Sequence, residues 1–150
     1  MSSLGEQIGA GFKEALKTKD PVRLSILRLL RAALKNREVE RRGPLEEAEV
    51  LAIIRGLIRQ GQEAVDQFEK GGRPDLAEKE RAEMEILNGF LPPAASEKEI
   101  RVLVDQVIRE VQAAGPQDLG RVMKPVLARI AGRAEGQRVR AIVQEQLAAV

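Results

Sequence analysis

Between Ser96 and Val111, Ile100, Leu103, Val104, Val107, Ile108 and Val111 form one apolar series. That spacing, i, i+3, i+4, i+7, i+8, i+11, puts every one of them on one face of an α-helix, whereas a strand would send them alternately to two faces. The same period runs through the rest of the chain. No window alternates apolar and polar residues as a half-buried strand does, and β-branched runs are absent. Aromatics are limited to three Phe, so Leu, Ile, Val, Ala and Met must build the core. The pattern predicts an all-α protein.

Punctuation residues divide it. Leu4 to about Lys17 reads as a short, weakly apolar first helix. Asp20 suits an N-cap and Pro21 the first position of a second helix, whose stripe is Val22, Ile26, Leu29, Leu30, Ala33 and Leu34 and whose stop is Gly43-Pro44. A third helix spans roughly 45–70, with Val50, Ile54, Leu57, Ile58, Val65 and Phe68 on one side and Gly71-Gly72 at its end. A fourth covers 75–90, anchored by Leu76, Met84, Leu87 and Leu91. Pro92-Pro93 cannot continue a helix, since each proline lacks an N–H and clashes with the preceding turn. The division expected there gives about four helices in residues 1–92 and three in residues 93–150.

In the second part Ser96 and Glu99 form a capping-box pattern, and Gly115-Pro116 is expected to end the helix behind it. Asp118 is placed to cap the next helix, with Leu119, Val122, Met123, Val126, Leu127 and Ile130 facing inward. Gly132 and Gly136 bracket a turn before the last helix, which carries Val139, Ile142, Val143 and Leu147.

Chemistry is scarce. The chain has no His, Cys, Tyr or Trp, which removes the usual general base, the thiolate nucleophile and the commonest metal ligands. Hydroxyls number five, and Ser25 beside Arg23 and Arg28 has no recognisable oxyanion site. Gly115 and Gly120 are spaced as in a phosphate-binding loop but lack its Lys and Ser/Thr and its preceding strand. Glu78, Glu80, Glu83 and Glu85 read as the solvated face of the fourth helix rather than a cation cage. No catalytic residue, metal site or cofactor is expected. Absent cysteines, and no stretch approaching membrane-spanning or signal-peptide length, lead to the expectation of a cytoplasmic protein with no membrane partner.

The charges are unevenly placed. Residues 11–42 carry ten Lys or Arg against four acids, a net of +6; residues 45–99 carry a net of −6; residues 116–140 carry a net of +4. At 100° per residue, Arg28, Arg31, Lys35 and Arg42 fall within about 60° of one another, a ridge that suits a phosphate backbone. The same ridge would equally suit the acidic third and fourth helices. Arg121, Lys124, Arg129, Arg133, Arg138 and Arg140 form a second basic group, next to a helix start at Glu135-Gly136-Gln137 whose N–H groups point outward. Such runs are also ordinary solvated surface. Without Tyr or Trp, stacking on single strands is disfavoured and phosphate contact favoured.

Three stretches carry a resemblance. "KTKDPVRLSILRLLRAALKN", then "GRPDLAEKERAEMEILNGFLP" followed by "SEKEI", then "LGRVMKPVLARIAGRAEGQRVRAIVQEQL" resemble, in the same order, the stand-alone YqeY-like proteins of the GatB/YqeY family. The resemblance covers nearly the whole chain. It departs at Phe90, where the family usually has Tyr, and at Pro125, which comes about three residues early. It implies a four-helix bundle followed by a three-helix unit like the tail of the B subunit of the tRNA-dependent amidotransferase. That tail contacts tRNA rather than carrying chemistry, and the enzyme's amidase and kinase-like halves have no counterpart here. The resemblance therefore implies a non-catalytic tRNA-associated module, alone or beside an aminoacylation or amidotransferase assembly, with no DNA partner. Any C–N ligase label would be inherited from the family. The alternative is a protein-interaction adaptor, motivated by Leu24, which lies among the basic residues on the helical wheel.

Overall fold

A computed structural model describes residues 3–150. These residues form seven α-helices: α1 (Ser3–Thr18), α2 (Pro21–Arg41), α3 (Glu47–Lys70), α4 (Pro74–Asn88), α5 (Glu97–Val111), α6 (Leu119–Ile130) and α7 (Gly136–Ala148), with one 3₁₀ turn at Pro116–Asp118. No strand occurs among them, and the all-α reading holds. No helix is long and apolar enough to cross a membrane. The chain divides into two compact units, Met1–Leu91 and Pro92–Val150.

In the first unit, α3 and α4 form a hairpin across Gly71-Gly72, α1 packs on α2 and α3, and α2 also meets α3 and α4. The Asp20 carboxylate accepts from the Arg23 N–H at 3.2 Å, and Pro21 opens α2 where its missing N–H costs nothing. Glu47 accepts the Leu4 N–H at 2.8 Å, satisfying one orphan donor of α1 with a side chain of α3. Ile8, Leu27, Leu30, Ile54 and Leu87 are fully enclosed.

The sequence stripe on α2 is rotated from the observed one. Leu27 is fully buried and Leu29 is 53% exposed. Because α2 meets α1, α3 and α4, its buried arc is wider than one stripe and centres on Ile26, Leu27 and Leu30. Leu24 is partly buried against the same core, so it is not a free apolar contact among the cations.

Helices α3 and α4 approach closely at Gly61, where a Cβ would lie 2.7 Å from Met84 Cγ. Gly61→Val is expected to destabilise the unit by about 1–3 kcal/mol through overpacking. A Cβ at Gly9 meets nothing within 4 Å. There, Gly9→Ala is expected to be neutral or stabilising by up to about 1 kcal/mol, from helix propensity alone. Thermal melts of the two variants check both.

In the second unit α5, α6 and α7 pack on one another around Ile100, Val104, Val107, Val122, Val126 and Val139. The Ser96 hydroxyl accepts from the Glu99 N–H at 3.1 Å, as the capping pattern requires. Other expectations are corrected. Helix α5 stops at Val111, before Gly115, because Gln112 turns left-handed at φ 55°. Asp118 does not cap α6; its carboxylate turns back to accept from the Ala114 N–H at 2.7 Å and from Arg121. Leu127 is 40% exposed, leaving Val122, Val126 and Ile130 as the buried face of α6.

Candidate nucleic-acid interface

The basic run of the second unit lies on α6, the corner after it, and α7. The corner forms because Ala131 (φ 51°) and Gly132 (φ 79°) both enter the left-handed region, which ends α6 and leaves Glu135 as the residue before α7. The Glu135 side chain makes no cap hydrogen bond to the helix that follows.

Three of the six cations are already engaged. Arg121 donates to the Asp118 carboxylate at 3.0 Å and to the Val111 carbonyl at 2.6 Å. Arg129 grips Glu110 with both guanidinium ends, at 3.1 and 2.5 Å. Arg133 donates to the Pro93 carbonyl at 3.1 Å and pairs with Glu99 at 3.0 Å, while its own carbonyl accepts the Ala95 N–H at 2.7 Å. Arg133 is thus a clasp between the corner and the segment leading into α5. Lys124, Arg138 and Arg140 are exposed and have no carboxylate partner among the described residues.

The pairs leave an electrostatic signature. The Arg129 hydrogen bonds hold the Glu110 carboxyl below its usual range. The Ala114 N–H, and after it Arg121, do the same for Asp118. A depressed carboxyl pKa contributes stability above the unfolded value of about 4 and loses it as pH falls through the lower folded value. Glu110 is exposed, so salt screens its contribution, while the Asp118 side chain is largely shielded from solvent.

The basic ridge of α2 also divides. Arg37 and Arg41 pair with Glu40, Glu46 and Glu49, joining α2 to the start of α3. They lie on a different side of the wheel from the ridge. Arg31 sits 4.2 Å from the centre of the Phe12 ring. Arg28, Lys35 and Arg42 are exposed and free of carboxylates among the described residues.

Two carboxylates were misjudged from sequence. Glu83 is only 7% exposed, with one carboxylate oxygen lacking a hydrogen-bond partner and Lys79 at 3.7 Å. Glu80 leans toward α3 at Gly61, and burial, then the Glu83 charge, raises its pKa. The signal was available: on the wheel both fall in the same arc as Leu76, Met84 and Leu87. A raised carboxyl pKa costs stability as pH rises through the unfolded value. Glu80→Gln is therefore expected to raise the melting temperature at pH 7 and to leave it nearly unchanged at pH 4, measured by circular dichroism.

The family described as Yqey-like protein matches residues 5–147, almost the full length. The chain belongs to that family. This Yqey-like chain is 34% identical over 107 residues to altered inheritance of mitochondria protein 41 of Lachancea thermotolerans, which is 69% of this chain and 57% of the relative. The protein of the same name from Eremothecium gossypii is 33% identical over 104 residues, 67% of this chain and 57% of the relative. The match to the one from Pyrenophora tritici-repentis is 27% identical but longer, at 146 residues, 95% of this chain and 80% of the relative. The chain therefore spans little more than half the length of the first two.

These relatives are named as mitochondrial proteins, which overturns the expectation of a cytoplasmic protein. Composition could not have settled the matter. Missing cysteines and missing long apolar stretches suit any reducing, aqueous compartment equally well.

Proposed function

We propose that this Yqey-like chain is a non-catalytic module that holds tRNA by its phosphates, alone or beside an aminoacylation or amidotransferase assembly. The observation that carries the reading is the set of exposed cations Lys124, Arg138 and Arg140, without carboxylate partners among the described residues, on two adjacent helices of the second unit. A cation without a carboxylate partner gives up nothing when it meets a phosphate, and each phosphate met releases a counterion. Arg121, Arg129 and Arg133 would first have to leave Asp118, Glu110 and Glu99, so they stand second. Arg28, Lys35 and Arg42 form the further patch on α2. The choice of tRNA over other nucleic acids rests on the resemblance of this unit to the amidotransferase B-subunit tail.

The test is binding of bulk tRNA by the full chain across a salt series. Three phosphate contacts should give a slope of log K against log salt near −3, at about −0.9 per phosphate. Arg138→Ala is expected to cut affinity at every salt concentration and to reduce the slope by about one unit. Arg129→Ala, which removes a partner of Glu110, should change the slope less. A flat response, or no binding at low salt, sinks the reading. The adaptor alternative has lost Leu24, its motivating residue, to the core. A protein partner that survives nuclease treatment of a lysate would restore it.

A further inference from the structure

The first unit holds a cleft of about 480 Å³ between α1, α2 and the start of α3. Its apolar wall is Ile8, Leu34, Leu45 and Val50, and Arg31, Lys35 and Glu38 stand along it on α2. On the α1 side Gly5 and Gly9 keep it open, with nothing within 4 Å of where a Gly9 side chain would begin. Glycine is a poor residue inside a helix, and an apolar void forfeits the dispersion contacts its lining could make. A side chain long enough to reach the wall would relieve both costs.

We infer that this cleft binds a small anionic amphiphile: one carboxylate, sulfate or phosphate carried on an apolar body. Its volume lies in the range of small-molecule sites, and such sites are apolar with a few placed polar groups. The two cations outnumber Glu38, so the mouth is net positive. Arg31 is held in place by the Phe12 ring without being neutralised, and Lys35 has no carboxylate partner among the described residues. The apolar wall excludes a peptide strand or a nucleobase, whose N–H and C=O groups would go unpaired against it. The inference uses none of the second-unit cations and shares with the RNA reading only Lys35, of the further patch on α2.

The experiment titrates the full chain with 8-anilinonaphthalene-1-sulfonate, followed by fluorescence, then displaces the probe with dodecanoate or with dodecanol. Saturable binding of one probe per chain is expected. Dodecanoate should displace it, with dodecanol at least about tenfold weaker. Gly9→Phe, which fills the cleft, should abolish binding. Lys35→Glu should weaken it about tenfold, and Lys124→Glu should leave it unchanged. Circular dichroism checks the fold of each variant; if Gly9→Phe does not fold, Gly9→Leu and the surface change Lys35→Glu carry the decision. The inference is overturned if binding does not saturate, if dodecanol matches dodecanoate, or if folded cleft-filling and Lys35→Glu variants bind like the parent.

Discussion

Leu27→Ala is expected to destabilise the first unit by about 2–5 kcal/mol, the cost of a fully buried leucine and the cavity it leaves. Leu29→Ala, two residues along the same helix, should cost less than about 0.5 kcal/mol. The two residues are chemically identical and sit in one apolar run, so the difference isolates burial. Leu27 is completely enclosed in a core to which α1, α2, α3 and α4 all contribute, while Leu29 is 53% exposed. Urea unfolding followed by helical circular dichroism reads both. Equal costs would mean that α2 is rotated about its axis relative to the placement described here, and the Arg28, Lys35 and Arg42 ridge would then have to be redrawn.

That pair also marks how far the sequence could be read. Helix starts were legible wherever a single side chain does the work: Asp20 for α2 and Ser96 for α5 both accept the N–H three residues on. Helix ends were less so. Gly115 looked like the natural stop of α5, but the left-handed residue is Gln112, and the loop after it is held by the Asp118 carboxylate rather than by glycine freedom. Inward faces were only partly right: Leu29 on α2 and Leu127 on α6 read as inward and are exposed, while Ile26, Leu30, Val122 and Val126 are buried as read. For the candidate interface, the sequence located the cations but not their partners. Arg129 finds Glu110 nineteen positions away and Arg133 finds Pro93 forty positions away. Arg121 meets Asp118 only three residues back, but for Arg129 and Arg133 the engagement is a property of tertiary pairing that no local pattern encodes. Glu83 is the opposite case. Its place on the apolar arc of α4 was visible, and the habit of reading glutamate as surface hid it.

Residues 92–150 expressed alone are expected to fold as a helical unit with a cooperative but lower melting transition than the full chain. Every member of the core from Ala95 through Ile100, Val104 and Val126 to Leu147 comes from this segment, and so does every partner in the Arg133 clasp. A chain this short buries only about 60% of its unfolded surface, which places it near the margin of independent stability. The entry segment should therefore matter. A fragment that begins at Glu97 lacks the Ser96 cap, worth about 1 kcal/mol. It also lacks the buried Ala95 and the Pro93 carbonyl that Arg133 holds. It is expected to melt well below the 92–150 fragment or not to fold. Arg133→Ala in the longer fragment should reproduce part of that loss. Far-UV circular dichroism with thermal unfolding distinguishes these states, and tRNA titration of the folded fragment shows whether Lys124, Arg138 and Arg140 suffice. A disordered 92–150 fragment would mean that its helices need residues 1–91 to hold their packing. A folded fragment without tRNA binding would leave the unit intact and move the phosphate site to the α2 ridge.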